Sequence, residues 1–278
     1  IAYPASVAAQ VIAFSTTATF FIPMTALQQK LLGCGALLFI LIMNILSTKC
    51  GGVIQTAATI GKLVPIAAII GFGLFSGVMP GASAFQGLSA AKSAGFGMAI
   101  LGTLWAYDGW IGVTNMGGEL KNPSKTLPKV IAGGVAFCIA VYILFNLAVF
   151  RAIPIDALKA SVAPGADAAK ALFGSGGSTF ITIGIMVSVF GALNGYLMTA
   201  ARVPVAMAER KQFPFGDALG RIHPRLRTPA NALIFQSVLA VIYVFSGQFN
   251  TLTDMLIFVL WIFFTLGVFG IFILRKKT

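Results

Sequence analysis

The chain has 278 residues, of which 58% are hydrophobic and only 9% are charged. Soluble domains are about half apolar and about a quarter charged, so this composition excludes a mainly water-facing surface. The 31 glycines and the mean hydropathy of +0.94 instead indicate a helical membrane protein. The net charge of +12 does not indicate binding to nucleic acid, because apolar segments divide the basic residues into short clusters.

Eight apolar segments are long enough to span a membrane as helices, which takes about 20 residues. They are 5–23, 31–48, 60–79, 94–116, 130–150, 177–200, 229–246 and 255–274. None alternates as a barrel strand does, so we predict an all-α membrane protein. The chain opens at Ile1 directly into an apolar segment, and we expect it to be an excerpt of a longer protein.

The lysine and arginine residues predict how the spans are oriented. The segments after spans 2, 4 and 6, together with the C-terminal tail, hold 13 of them, against 5 after spans 1, 3, 5 and 7. Because the richer side faces the cytoplasm, span 1 should begin there and the C-terminal end should lie there. The longest cytoplasmic connection, 203–228, has a short amphipathic piece and then His223, which we expect to be a solvated loop histidine.

Only two charges lie well inside the spans, where a charge is costly and therefore informative. Asp108 lies midway along the fourth span, between Trp105 and Trp110. This stretch either leaves helical geometry and lines a cavity, as broken helices do in transporters, or continues as a helix with a buried Asp108. Lys62 either extends its ammonium to the lipid headgroups or is a fixed internal cation held by backbone carbonyls. The residues alone leave both pairs of alternatives open.

Small residues in the sixth span permit close contact with a neighbouring helix, and Ser188 and Asn194 could also present polar groups to a cavity. The three cysteines share no metal-ligand spacing, so we expect free thiols and neither a metal nor a cofactor. The chain has one histidine and nothing that resembles a nucleophile–base pair, so an enzyme is not expected.

Seven motifs follow one another in a specific order and spacing. They are Gly61-Lys62-Leu63; Trp105-Ala106-Tyr107-Asp108-Gly109-Trp110; Gly118-Glu119-Leu120-Lys121-Asn122-Pro123 with Leu127-Pro128; Phe190-Gly191-Ala192-Leu193-Asn194-Gly195; Ala201-Arg202; Ala208-Glu209-Arg210; and the stretch from His223-Pro224 to Thr228-Pro229. Together they resemble the amino acid–polyamine–organocation transporters, in particular the L-type amino acid transporter branch with its bacterial serine/threonine and alanine/serine/cysteine exchangers. The resemblance covers nearly the whole chain.

The resemblance implies a LeuT-type fold, in which family helices 1–5 and 6–10 form inverted repeats. The eight spans would be family helices 3 to 10, so residues 1–278 would form a single transmembrane helical bundle without the first two and last two family helices. Family helix 1 carries the glycine-rich break that holds the substrate carboxylate. Half of the binding site is therefore expected outside this chain.

By the same resemblance, the substrate-binding break of family helix 6 would consist of Trp105, Ala106, Tyr107, Asp108 and Gly109. Its backbone carbonyls would accept hydrogen bonds from the substrate ammonium, and Trp105 would be the aromatic gate over the pocket. Tyr107, Asp108 and Trp110 would brace the break rather than touch the substrate.

Four further residues receive roles from the resemblance. Lys62 would occupy the place where sodium-driven relatives bind a cation, and Ser188 would lie near that place. Glu119 and Lys121 would belong to the closure on the cytoplasmic side. A permanent cation at Lys62 implies transport that does not depend on sodium.

The implied protein is a multi-pass protein of the cell membrane that exchanges neutral L-amino acids by alternating access. Its partners would be the amino acid substrate and the lipid bilayer, and the short loops give no reason to expect an accessory glycoprotein. One alternative is a cationic amino acid or polyamine antiporter of the same superfamily, for which Asp108 is the only internal acidic candidate. A second alternative is a non-transporting membrane scaffold subunit, which predicts a continuous fourth span.

Overall fold

The computed structural model describes residues 2–75, 93–161, 164–212, 216–247 and 249–276. All regular elements in these ranges are helices, which confirms the all-α prediction. In chain order they are α1 (Ala2–Ala18), α2 (Ala26–Leu46), α3 (Thr48–Phe75), α4 (Ser93–Ala106), a 3-10 helix (Trp110–Glu119), α5 (Pro123–Ala152), α6 (Ile155–Ala160), α7 (Pro164–Phe173), α8 (Ser175–Ala200), α9 (Arg202–Glu209), α10 (Gly216–Leu219), α11 (Ala230–Ser246) and α12 (Phe249–Arg275).

Five helical segments of the described part are long and apolar enough to cross a membrane. They are Ala26–Leu46, Cys50–Phe75, Pro123–Ala152, Ser175–Glu209 and Ile257–Arg275. Large apolar side chains such as Phe72, Phe137 and Phe263 are exposed along them. Such faces suit lipid hydrocarbon or further apolar helices, because no water is needed to satisfy them. The prediction of a multi-pass membrane protein is therefore confirmed.

Four of the eight predicted spans differ from the prediction in the structure. α1 and α11 have 17 residues each, which makes them short for membrane helices. The fourth span is interrupted after Ala106. The third begins at Thr48 rather than at residue 60, and its predicted end at residue 79 lies outside the described residues. Its first turns look like a polar loop in the sequence, but Gly51 and Gln55 pack against α2 and α8, so the helix continues through them.

Buried apolar side chains join α1, α2, α8 and α11 into one core cluster. Its members include Val7, Val11, Leu37, Ile40, Leu193, Leu197 and Val244. A second cluster joins α3, α5, α7 and α8 around Ile69, Val149 and Ile181. Since α8 takes part in both, it is the helix that connects the two halves of the core.

Glycines bring α8 into close contact with α3. A Cβ atom at Gly184 would lie 2.4 Å from Cγ of Pro65, and one at Gly191 would lie 2.5 Å from Cβ of Ala58. Both distances are shorter than carbon atoms can approach, so these positions need glycine. The expectation that small residues of the sixth span permit close helix contact is thus confirmed for Gly191.

The connection between α8 and α11 contains the amphipathic α9 and folds back onto the end of α2. The hydroxyl of Thr228, which is buried, donates to the carbonyl of Ile45 at 2.8 Å. Nδ1 of His223 accepts the backbone N–H of Leu226 at 3.2 Å, and the imidazole is half-buried. The histidine lies in the loop, as expected, and its ring closes a turn of this connection.

Candidate functional site

The fourth span breaks where the aromatic motif lies. α4 ends at Ala106, residues 107–109 form a turn, and the 3-10 helix begins at Trp110. Gly109 has a φ of 102°, a left-handed conformation that glycine adopts without the steric cost met by other residues. Of the two alternatives left open by the residues, the structure has the broken helix and not the continuous one.

Among the residues that the structure describes, the break leaves backbone polar groups without backbone partners. Before the break, the amide of Tyr107 donates a hydrogen bond to the carbonyl of Thr103 in α4 at 3.0 Å. After it, the amide of Gly112 in the 3-10 helix donates to the carbonyl of Gly109 at 2.9 Å. Within the described ranges, no backbone donor reaches the carbonyls of Tyr107 and Asp108. These carbonyls follow the negative end of α4, so they suit a positively charged group such as an ammonium.

Tyr142 on α5 braces the first residue of the break. Its hydroxyl donates to the carbonyl of Ala106 at 2.9 Å. Its ring meets the ring of Tyr107 in a T-shaped contact with the centroids 5.0 Å apart. Sequence reasoning missed Tyr142, although a phenol hydroxyl within an apolar span was a usable signal, because such a group needs a partner in lipid.

Tyr196 on α8 braces the next part of the break. Its hydroxyl donates to Oδ2 of Asp108 at 3.0 Å, and Asp108 is half-buried. Tyr196 also lies beside Gly109, where an added Cβ would be 3.7 Å from the hydroxyl oxygen. Both Tyr107 and Asp108 are thus engaged by side chains of other helices, which supports the prediction that they brace the break.

Two predicted site residues fall on side chains that lie outside the described residues. They are Trp105, the predicted gate, and Glu119 of the predicted cytoplasmic closure, of which the structure describes only the backbone. The other closure residue, Lys121, is exposed in the bend that leads from the 3-10 helix to α5. The gate and the closure stay predictions.

Lys62 in α3 and Ser188 in α8 each directly follow a residue of a contact between these two helices. Their chain neighbours Gly61 and Val187 pack together, and a Cβ at Gly61 would lie 3.1 Å from Cγ1 of Val187. Both Lys62 and Ser188 are half-buried. No hydrogen bond or ion pair holds the Lys62 ammonium within the part of the chain that the structure describes. The predicted role of this pair as a substitute for a bound cation is left open by this geometry.

Asn194 does not present its amide to a cavity, contrary to one of the possibilities considered for it. It is fully buried, and its Oδ1 accepts the side-chain amide of Asn44 at 2.8 Å. Its Nδ2 donates to the carbonyl of Gly51 at 3.0 Å and to Oε1 of Gln55 at 3.1 Å. These contacts form an amide cluster that joins α2, α3 and α8.

A surface cleft of about 270 Å³ lies between the 3-10 helix and α9. Its walls include Asn115, Arg202, Met207 and Arg210. Asn115 also donates a side-chain hydrogen bond to the hydroxyl of Tyr3, which ties the 3-10 helix to α1. The second half of the broken span is therefore attached to the core by a polar contact of its own.

Comparison with known proteins identifies the family. The family model for amino acid permeases matches residues 1–278. The chain belongs to the amino acid permease family. This confirms the resemblance to the amino acid–polyamine–organocation transporters that the motifs indicated.

Relatives of this family member include exchangers and transporters of amino acids. The chain is 43% identical over 249 residues to the serine/threonine exchanger SteT of Bacillus subtilis (strain 168), covering 89% of this chain and 56% of the relative. It is 32% identical over 254 residues to the human b(0,+)-type amino acid transporter 1, covering 88% and 50%. It is 28% identical over 251 residues to the human cystine/glutamate transporter, covering 89% and 50%. The chain thus spans about half the length of the relatives it matches.

Proposed function

We propose that this protein is a sodium-independent exchanger of neutral L-amino acids that works by alternating access. The observation that carries the proposal is the broken fourth span, whose carbonyls at Tyr107 and Asp108 have no backbone partner within the described residues. Two described tyrosines, Tyr142 and Tyr196, hold this break in place. A helix interrupted in this way at mid-membrane is how secondary transporters build a substrate site.

The substrate would be recognised by backbone dipoles. Its ammonium would donate to the carbonyls of Tyr107 and Asp108, and its carboxylate would meet the amides of the glycine-rich break expected in family helix 1. Both charges of a zwitterion are then satisfied without an opposite formal charge on the protein. A neutral side chain fits such a site, because the backbone carbonyls and amides already satisfy both charges of the zwitterion.

Lys62 would make the exchanger independent of sodium. Its position in α3, one residue from the contact of Gly61 with Val187 of α8, supports this role, because an ammonium at that place would supply the charge that a bound cation would bring. Ser188, on the facing helix, would lie next to the ammonium. The proposal concerns a transporter and not an enzyme, and the carrier would work without an accessory glycoprotein.

The orientation of the carrier follows from its basic residues. The segments that contain Lys121 and Arg202, together with the tail at Arg275, would face the cytoplasm. Glu119 and Lys121 would then lie at the cytoplasmic end of the broken span, where closure must occur once the substrate is bound. Trp105 would cover the substrate from the other half of the break.

A cationic amino acid or polyamine antiporter is the second candidate. The observation that favours it is the half-buried carboxylate of Asp108, whose Oδ2 accepts the hydroxyl of Tyr196 while no bond to Oδ1 is found among the described residues. Its Oδ1 would be available to a cationic side chain. The scaffold hypothesis loses its support, because it predicts a continuous fourth span and the helix is broken at Ala106.

Counterflow in proteoliposomes tests the proposal. The full-length protein is reconstituted alone in sodium-free buffer, and uptake of labelled amino acids is measured against an internal pool of unlabelled ones. Trans-stimulated uptake of serine, alanine or leucine is the expected result. Uptake of arginine or a polyamine in their place would favour the second candidate, and uptake that rises steeply with sodium would contradict the role given to Lys62.

A further inference from the structure

Two polar side chains of α8, Asn194 and Tyr196, connect the helix in two directions. Asn194 is bonded to α2 and α3 through the amide cluster. Tyr196, two positions further along, is bonded to Asp108 in the break of the fourth span. One short stretch of α8 therefore contacts both the packed core and the candidate substrate site.

The amide cluster fixes the register of α8. Both hydrogens of the Asn44 amide are used, one on the carbonyl of Ile40 at 2.9 Å and one on Oδ1 of Asn194 at 2.8 Å. The amide of Asn194 donates in turn to Gly51 and Gln55. Because these groups are away from water, a shift of α8 along its axis would leave several buried donors unpaired.

Backbone contacts on both sides of Asn194 fix the distance between α8 and α3. Gly191 lies against Ala58, and an added Cβ at Gly195 would be 3.2 Å from Oε1 of Gln55. Near Asn194, these contacts therefore oppose both a shift of α8 along its axis and a movement of α8 toward α3. Tyr196 projects from a part of the helix whose position is closely defined.

The break itself has few attachments. Within the described ranges, residues 106–109 receive side-chain hydrogen bonds at two places, from Tyr142 to Ala106 at the end of α4 and from Tyr196 to Asp108 in the turn. Gly109 is exposed and Asp108 is half-buried. The position of the free carbonyls thus depends on contacts made by neighbouring helices rather than on the turn alone.

We propose that Asn194 and Tyr196 are positioning residues of the substrate site. Asn194 holds α8 against α2 and α3, and Tyr196 transmits that fixed position to Asp108 and to the carbonyls at 107 and 108. Neither side chain touches the substrate. The inference rests on the proposed function, because it concerns the same broken helix, and it names the parts of the core that keep this helix in a binding geometry.

Hydrogen exchange provides a test that does not depend on transport. Tyr196→Phe removes the hydroxyl and keeps the ring, which packs on the same core cluster as Tyr243. Tyr243→Phe is the matched control, since no hydrogen bond of the Tyr243 hydroxyl is found among the described residues. In full-length protein, amides of residues 104–112 should exchange about threefold to tenfold faster in Tyr196→Phe, the effect of one lost interhelical bond. Equal hydrogen-exchange rates at residues 104–112 in Tyr196→Phe and Tyr243→Phe would overturn the proposal.

Counterflow separates positioning from simple stabilisation. The half-saturating substrate concentration should rise about threefold to tenfold in Tyr196→Phe, while its melting temperature and maximal rate stay near those of the unchanged protein. Asn194→Ala should lower the melting temperature and raise the half-saturating concentration as well. The double variant should show no further rise, because Asn194 acts through Tyr196. If the increases in half-saturating concentration of the two single variants add in the double variant, Asn194 does not act through Tyr196. Gln55→Ala replaces Asn194→Ala if the Asn194→Ala protein does not fold.

The two proposals fail in different ways. If the unchanged protein exchanges no amino acid but Tyr196→Phe still accelerates hydrogen exchange at 104–112, the proposed function is wrong, and Tyr196 holds the break in position without serving an amino acid site. If the unchanged protein exchanges amino acids but Tyr196→Phe behaves like Tyr243→Phe in both assays, the positioning role is wrong and the function stands.

Discussion

The hydroxyl of Tyr142 lies 2.9 Å from the carbonyl oxygen of Ala106, the last residue of α4. The last carbonyls of a helix have no partner within the helix, and inside a membrane they cannot rely on water. Tyr142 therefore supplies the hydrogen-bond donor that the carbonyl of Ala106 lacks because α4 ends there. It leaves the next carbonyls, at Tyr107 and Asp108, for another ligand.

Removing that hydroxyl should weaken substrate binding. In Tyr142→Phe the ring contact with Tyr107 remains and only the hydrogen bond is lost, a change of about 0.5–1.5 kcal/mol. The half-saturating concentration in counterflow should rise about twofold to tenfold. Tyr243→Phe serves as the control, and a Tyr142→Phe protein with unchanged half-saturation would remove Tyr142 from the site.

Gly109 should not tolerate a side chain, although there is room for one. An added Cβ meets nothing closer than the hydroxyl oxygen of Tyr196 at 3.7 Å, so the cost of Gly109→Ala comes from the left-handed backbone. We expect a loss of about 1–2 kcal/mol in stability of the turn, together with reduced exchange.

Gly112→Ala is the matched control for this prediction, because its nearest neighbour would be Thr199 at 3.9 Å and its φ is not left-handed. Gly109→Asn should fall between the two, since asparagine enters the left-handed region more readily than alanine. Equal exchange rates for Gly109→Ala and Gly112→Ala would show that the turn does not need this conformation.

The contact between Gly191 and Ala58 should show compensation. Gly191→Ala places two methyl groups 2.5 Å apart and should lower stability by about 1–3 kcal/mol, measured as a lower melting temperature. Adding Ala58→Gly should restore much of the loss, because it removes the atom that collides. Gly134→Ala, where nothing lies within 4 Å, should leave the melting temperature nearly unchanged. Failure of the second substitution to restore stability would indicate a different source of strain.

Lys62→Ala should separate the two explanations of that lysine. If the ammonium substitutes for a bound cation, the variant remains in the membrane in normal amount but exchange falls strongly. Lys159→Ala is the control, since Lys159 is exposed and its pair with Asp156 is of the kind that contributes little. An unchanged rate of amino acid exchange in Lys62→Ala would mean that the Lys62 side chain extends to the lipid headgroups and has no part in transport.

Structural features that depend on adjacent residues could be predicted from the sequence, whereas contacts between residues far apart in the chain could not. The possibility of a break at 105–109 could be raised from the aromatic residues and Gly109, because they are adjacent in the chain. The braces could not be found in that way. Tyr142 is 36 positions from Ala106 and Tyr196 is 88 positions from Asp108, and nothing in a single sequence pairs them.

Polar residues within helices misled the sequence reasoning for a related reason. The predicted spans left residues 49–59, which include Gly51 and Gln55, outside a membrane helix, and Asn194 was considered for the wall of a cavity. Each of them is instead satisfied by the others inside the helix bundle. A buried polar side chain shows that a partner exists, but only the fold shows which one.

The amide cluster also has a consequence for how the protein is made. Asn44 and Gln55 enter the membrane 150 and 139 residues before their partner Asn194. At synthesis rates of about 5–20 residues per second, roughly 7 to 30 seconds pass between the synthesis of these two residues and that of Asn194. During that interval Asn44 can keep its bond to the carbonyl of Ile40 within α2, but the bonds of Asn44 and Gln55 to Asn194 are not yet formed. Correct assembly of the early helices therefore has to be completed by a late one, and a defect at Asn194 would expose segments that had already been inserted.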